Sequence, residues 1–255
     1  MKSQVECLYC MMKQAFNTVT LCEDDAAVQR EVMDRSADWI KESDLNSTPA
    51  ALSTEIYRIV SRVTGVADPF AEVKYQTNRE AMKLLPEMRE IISGSGSPLK
   101  TALHIAVAGN IIDLGIGQKY DLRRDLHSAV ETPFAVDHSD AFIKQLHPGV
   151  KLLYLGDNSG EIVFDRALVE TLAATGAAVT YTVKSGPIIN DVTREDADQT
   201  GLSGLVEVIE TGSDDIGINF STISDSFKKA WDSADIILAK GHGTFESCNR
   251  RPENM

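Results

Sequence analysis

The order of apolar and polar positions changes character part-way along the chain. Up to about residue 113 the apolar residues recur at steps of three and four, the spacing of one helical face. Val5, Leu8, Met12, Phe16 and Val19 predict a helix over residues 4–20. Thr48-Pro49 is a start signal, a capping hydroxyl followed by proline at the first helical position. Leu52, Ile56, Tyr57, Val60 and Val63 follow on one face until Gly65. Asp68-Pro69 opens a further helix expected to carry Val73, Ala81, Leu84, Leu85, Met88, Ile91 and Ile92. The run Ser93-Gly94-Ser95-Gly96-Ser97 is a break. Ser97-Pro98 then starts a helix through about Asp113, with Leu103, Val107 and Ile111 as its apolar stripe.

From Val150 onward the pattern alternates. Short apolar runs at 150–155, 178–183, 205–209 and 235–239 read as buried strands, and 160–172 and 220–231 read as helices. The stretch from Ile188 or Asn190 reads as a loop or a helix start. Strands alternating with helices imply a parallel sheet covered on both faces. The expected fold class is α/β: an N-terminal helical subdomain, residues 1–96, and a Rossmann-like three-layer α/β/α domain with a mostly parallel sheet. The second domain spans residues 97–255 and includes a helical lead-in to about residue 149.

Composition narrows the function classes. The 255 residues, 43% of them hydrophobic, suffice for a core that needs no staples. No apolar run approaches the length of a membrane span, and Met-Lys-Ser-Gln-Val-Glu-Cys has no hydrophobic signal region. Four cysteines do not make a disulfide scaffold, so the cytoplasm is the expected compartment. A net charge of −13 argues against nucleic acid or an anionic membrane as partner. The acidity is concentrated: residues 151–255 hold 17 acids against 9 bases. That half is where the chemistry is expected.

In an open parallel sheet, ligands bind outside the C-terminal ends of the strands. Strand one runs into Gly156-Asp157-Asn158-Ser159-Gly160-Glu161, strand two into Lys184-Ser185-Gly186-Pro187-Ile188-Ile189-Asn190-Asp191, and strand four into Lys240-Gly241-His242-Gly243-Thr244-Phe245-Glu246. Asp157 and Asn158 supply hard oxygen donors suited to Mg²⁺ or Mn²⁺, and Asp191 can add another from the neighbouring strand end. Ser159-Gly160 begins a helix, whose free N–H groups favour an anion. Lys240 offers a cation to a phosphate, and Glu161 can hold a metal-bound water or cap the helix. A divalent ion, a helix N-terminus and a lysine are the parts that phosphoryl transfer uses. Each has a plainer reading when taken alone. Gly-Asp-Asn is a common turn and helix cap, and Asp191 after Asn190 can be another cap. Their shared address at strand ends is what joins them.

These blocks resemble the DUF89 family, also called the damage-control phosphatases or ARMT1-like metal-dependent phosphatases. The resemblance is carried by Gly156–Glu161, by Asn190-Asp191-Val192-Thr193 with Asp196-Ala197, and by Lys240–Glu246. Asp68-Pro69-Phe70 with Lys74 and Asn78, and Ala108-Gly109-Asn110-Ile111-Ile112-Asp113, match two further blocks. Cys7-Leu8-Tyr9-Cys10 resembles the start of a prokaryotic branch. The resemblance implies a helical N-terminal region on an α/β/α core, and metal-dependent hydrolysis of small phosphorylated metabolites such as sugar phosphates or cofactor precursors. It implies Asp157, Asn158 and Asp191 as ligands of a divalent ion (Mg²⁺, Mn²⁺, Co²⁺ or Ni²⁺), and Lys240 as the phosphate contact. Asp157, Asn158 and Lys240 are thus the expected catalytic residues. Ser159, Gly160, Glu161, Lys240 and Gly241 line the expected substrate site. Asn110 and Asp113 belong either to that pocket or to packing and capping. Family members usually continue into another strand and a final helix. With 15 residues after Lys240, the chain is expected to lack a sheet edge and part of the pocket wall.

The expected reaction is attack by water on a metal-polarised phosphate, with Asp157 as covalent nucleophile the competing route. A haloacid-dehalogenase-type phosphatase needs a second Asp two residues on, where this chain has Ser159. A methyltransferase needs a Gly-x-Gly-x-Gly loop that strand one does not supply. The alternative from a different class is a non-catalytic binder or regulator of a phosphorylated metabolite, using the same pocket. Cys7 and Cys10 read as a packing pair, half a metal site or a redox pair. His242 lies close enough in sequence to Lys240 to touch substrate, and His104 reads as a core or boundary residue. Asp24-Asp25 and Asp214-Asp215 read as caps. No pattern specifies an oligomeric state.

Overall fold

The computed structural model describes residues 2–111 and 122–248. Three helices come first: α1 (Val5–Cys22), α2 (Ala26–Glu42) and α3 (Pro49–Thr64). They enclose their own apolar cluster of Met11, Ala15, Val19, Val32, Leu52, Ile56 and Val60. The ends of α3 follow the sequence signals. The Thr48 hydroxyl accepts from Ala51 N at 3.2 Å, and Gly65 closes the helix at φ 74°. The α2 helix has no counterpart in the sequence reading, although its cap, Asp25, accepts from Ala27 N at 2.7 Å. The buried face of α1 also differs from the expected stripe. Met11, Ala15, Thr18 and Val19 face inward, while Val5 is 70% and Phe16 50% exposed. Two overlapping apolar stripes run along α1, and the seam toward α2 and α3 uses the one containing Ala15, whose small side chain allows close approach.

The single helix expected after Asp68 is two, α4 (Ala71–Met82) and α5 (Leu85–Gly94). Pro86 lies in the first turn of α5. It has no N–H to continue α4, and its ring would strike the carbonyl of Met82. The next helix, α6 (Pro98–Ile111), packs on α9 (Glu161–Ala174). It buries Ala102, Ile105, Ala106 and Ala108, while of the expected stripe Leu103 is only partly buried and Val107 is 46% exposed. The contact is tight: a Cβ on Gly109 would lie 2.9 Å from Phe164 Cγ. Small residues therefore select this face. Helices α7 (Leu122–Glu131) and α8 (Ser139–Gln145) lead into the sheet.

The sheet comprises β1 (Lys151–Leu155), β2 (Ala178–Val183), β3 (Glu207–Glu210) and β4 (Ile236–Ala239) in the order β3-β2-β1-β4, all parallel. Successive side chains of a strand point to opposite faces. On one face Leu152, Tyr154, Val179 and Tyr181 join residues of α5, α6 and α9 in one core. On the other, Leu153, Leu155 and Ile237 meet Phe227 and Trp231 of α11 (Asp225–Ser233). Burial on both faces explains why the strands read as continuous apolar runs. Helix α11 starts five residues later than its pattern suggests, because the Ser224 hydroxyl accepts from Phe227 N at 3.1 Å. The remaining helices are α10 (Arg194–Gln199) and α12 (His242–Cys248).

Candidate active site

The chain runs from β1 outward to β2 and β3, then returns to β4 on the other side of β1. The crevice between β1 and β4 is therefore the switch point of the sheet, where parallel α/β folds bind ligands. Asp157 follows β1 and Gly241 follows β4, and they meet there. Gly241 stands at φ 92°, and a Cβ on it would fall 2.1 Å from Asp157 Oδ1. From the other side, the loop after β2 folds back along the loop after β1. Ser159 N donates to Asn190 O at 2.7 Å, Val192 N donates to Asp157 O at 2.8 Å, and Asn158 forms an antiparallel bridge with Asp191. Backbone pairing thus places Asp157, Asn158 and Asp191 together.

Their environment is acidic and largely closed. Burial raises the Asp157 carboxyl to about 7, helped by the charges of Asp191 and Glu161 and opposed by Lys240 and Lys184. Burial raises Asp191 to about 6 against the pull of Lys184. Lys240 loses stability as a cation through burial, but Asp165 and Glu161 outweigh that and hold it protonated. Its Nζ is 2.8 Å from both Glu161 Oε2 and Asp165 Oδ1. Lys184 Nζ donates to the carbonyls of Asp215, at 2.7 Å, and Gly217, and lies 3.5 Å from Asp191 Oδ2. Glu161 Oε1 accepts from Asn110 Nδ2 at 2.9 Å and from Asn158 Nδ2 at 3.0 Å. Asn158 Nδ2 also donates to Asp157 Oδ2 at 2.9 Å.

A second layer braces these loops. Asn78, fully buried on α4, accepts from Gly160 N at 2.6 Å and donates to Asp196 Oδ1 at 2.8 Å and Gln199 Oε1 at 2.9 Å. Lys74 Nζ lies 3.0 Å from Asp196 Oδ2 and 3.4 Å from Asp68 Oδ2. Asp196 Oδ2 also accepts from Thr193 N at 2.8 Å, closing a capping box on α10. The blocks around residues 68–78 and 190–197 are therefore one hydrogen-bonded unit that holds the loops carrying Gly160 and Asp191.

Most of the residues singled out in the sequence converge here. Asp157, Asn158, Asp191, Glu161, Lys240, Gly241 and Asn110 lie within this network, and Asp113 lies outside the described residues. Two expectations are corrected, one at Ser159-Gly160 and one at Asp214-Asp215. The N–H groups of Ser159 and Gly160 are not free for an anion, because Asn190 O and the Asn78 side chain already take them. His242 has an 82% exposed side chain, 3.9 Å from Glu246 Oε1. No disulfide joins Cys7, Cys10, Cys22 and Cys248, and Cys7 Sγ accepts from Gln4 N at 3.4 Å. His104 stacks on Phe134 with ring centroids 3.9 Å apart. Asp214 and Asp215 pair with Arg58 instead of capping a helix, Asp215 at 2.9 Å.

The sequence reading passed over Lys184 and Asp165. Lys184 directly follows β2, the same address that drew attention to Asp157 and Lys240. Also unforeseen is a cleft of about 330 Å³ lined by Tyr57, Arg58, Phe70, Asp214 and Pro187 to Ile189, part of the loop that leads to Asp191. Burial and the charge of Asp191 push the Tyr57 hydroxyl up to about 12. Ile189 stands at φ 46°, a left-handed conformation that a β-branched residue rarely adopts.

Among the described residues no three His, Cys, Asp or Glu side chains converge as a metal cage. Asp157 and Asp191 lie with the Asn158 amide beside them, and a third acid, Glu161, is engaged by Asn158 and Lys240. Two carboxylates with raised pKa, one half-buried and one buried, and an amide oxygen are donors that suit a hard divalent cation. The space that a side chain at position 241 would fill lies against the Asp157 carboxylate. The residues fit such an ion.

Across residues 3–254 the sequence matches the damage-control phosphatase ARMT1-like domain. The chain belongs to this family. A damage-control phosphatase of Pyrococcus horikoshii is 32% identical over 250 residues, which cover 97% of this chain and 86% of that protein. A damage-control phosphatase of Archaeoglobus fulgidus is 34% identical over 253 residues, 96% of this chain and 87% of the relative. The crystal structure of a DUF89 family protein from Pyrococcus horikoshii superposes with a TM-score of 0.90 at 32% identity, covering 96% of this chain and 86% of the other. The α/β architecture is thus that of an ARMT1-like domain. No described helix is long and apolar enough to cross a membrane.

Proposed function

We propose that the chain is a metal-dependent phosphatase that hydrolyses small phosphorylated metabolites in a damage-control role. One observation carries the reading: the loops after the adjacent strands β1 and β2 pair through their backbones and bring half-buried Asp157 and buried Asp191 to the switch point, both with raised pKa. In this reading Asp157, Asn158 and Asp191 hold Mg²⁺, Mn²⁺, Co²⁺ or Ni²⁺. When bound, the ion supplies Lewis-acid polarisation of the phosphate and neutralises developing charge.

The chain's own residues supply the rest. Lys184 and Lys240 are buried cations that offset the acids around a phosphate dianion. Gly241 presents no side chain, so backbone can approach the phosphate closely. Asn110, hydrogen-bonded to Glu161, stands at the rim and orients the ester. The cleft lined by Tyr57 and Phe70 takes its organic part. Asp157 is fixed by Asn158 and by the close approach of Gly241, so we assign it as a donor and water as the nucleophile.

The test is phosphate release from a panel of phosphorylated metabolites with Mg²⁺, Mn²⁺, Co²⁺ or Ni²⁺, with Asp157→Ala as the control. Release by the wild type alone is expected. Equal release by both proteins refutes the enzymatic reading. Binding of an ester without release establishes the regulator instead.

A further inference from the structure

One buried carboxylate behind the site has no part in that reaction. Asp165, in α9, is 0% exposed. Its Oδ1 accepts from Tyr154 OH at 2.7 Å and from Lys240 Nζ at 2.8 Å, and its Oδ2 accepts from Tyr181 OH at 2.7 Å. The tyrosines are register partners on β1 and β2, stacked with centroids 5.0 Å apart. The anchor is therefore built into the sheet.

A chain of contacts leads from this anchor to the site. Lys240 Nζ reaches Glu161 Oε2 at 2.8 Å. Glu161 Oε1 receives Asn158 Nδ2, which also donates to Asp157 Oδ2. An amide carries its donors and its acceptor on opposite sides. A flipped Asn158 would set its Oδ1 against two carboxylate oxygens, which repel it. The two carboxylates thus decide which end of the amide remains available.

We propose that Asp165 is a positioning residue which, acting through Lys240 and Glu161, fixes the Asn158 amide with Nδ2 on the carboxylates and Oδ1 left as the donor for a cation. The inference rests on the reading of Asn158 as a metal donor. Asp165 has a second effect. It keeps the Lys240 ammonium from settling on Asp157, where it would compete with the metal.

The experiment measures Mn²⁺ affinity by calorimetry without substrate, for wild type, Asp165→Asn and Tyr181→Phe, with melting curves to establish folding. Mn²⁺ binding by folded Asp165→Asn is expected to weaken at least about tenfold. Its phosphate release fails at low Mn²⁺ and recovers in excess, with KM for the ester held within about threefold. A purely structural role would lower the melting temperature without moving the affinity of the folded protein. If Asp165→Asn does not fold, Tyr181→Phe decides, with an expected weakening of about fivefold for one lost hydrogen bond. Wild-type affinity in the folded variant overturns the inference while leaving the phosphatase reading intact. A wild type that neither binds Mn²⁺ nor releases phosphate overturns both.

Discussion

Asp157→Asn should stabilise the metal-free protein even as it removes activity. The folded state raises this carboxyl from its ordinary 3.8 to about 7, chiefly by burial and then by the charges of Asp191 and Glu161. A group with a raised folded pKa contributes stability that is fully present below its unfolded pKa and is lost as pH rises through the folded one. For Asp157 the loss runs from about pH 4 to about pH 7. Above that range the fold bears the full cost of the buried charge. At about 1.4 kcal/mol per pH unit, the rise caps that cost at roughly 4 kcal/mol. The substituted amide bears no charge at any pH but is a poorer acceptor for Asn158, so a net gain of about 2 kcal/mol is expected at pH 8. In a chain of this size that gain raises Tm by about 4–8 °C. The assay is thermal unfolding in EDTA from pH 4 to pH 8, repeated with Mn²⁺. The variant should gain on the wild type as pH rises, and Mn²⁺ should stabilise only the wild type. An Asp157→Asn protein less stable than wild type at pH 8 in EDTA, or a difference independent of pH, would refute the reasoning.

Gly241→Ala should be far more damaging than an added methyl suggests. Its φ is 92° and its Cβ would sit 2.1 Å from Asp157 Oδ1, so a loss of about 3 kcal/mol in urea unfolding and at least about a hundredfold in phosphate release is expected. Asn78→Ala leaves Gly160 N, Asp196 and Gln199 without their buried partner, and should cost about 2–4 kcal/mol by the same measurement. Ile189→Gly should cost less than about 1 kcal/mol, because release of the left-handed strain at φ 46° offsets the lost side chain. Ile188→Ala, at a buried position, should cost about 2–4 kcal/mol, so equal losses at the two positions would contradict the strain argument.

Much of the candidate site's placement was legible because its residues sit at strand ends. Asp157 and Lys240 each follow an apolar run closely, and the parallel-sheet rule alone brings them to one edge. Lys184 carried the same signal. Asp165 carried none, since an acid in the second turn of a helix reads as a solvated position. Only the two tyrosines and Lys240 around it show that it is buried and satisfied. The Ser159-Gly160 turn was misjudged for a related reason. A helix start looks open until another element, here Asn78 of α4, is seen to occupy its N–H group.

The sequence by itself determined the alternation of strands and helices and several element ends. Thr48-Pro49, Gly65, Pro86 and the β-branched run at 178–183 act through sterics and hydrogen bonds within a few residues, so their effect does not depend on the rest of the chain. Tertiary structure alone decided which stripe of α1 and α6 is buried, since that depends on how closely a neighbouring helix can approach. It also decided that Gly241 closes against Asp157 and that Asp157 and Asp191 share one desolvated crevice. Electrostatic coupling and desolvation follow distance through space, and sequence separation does not report that distance.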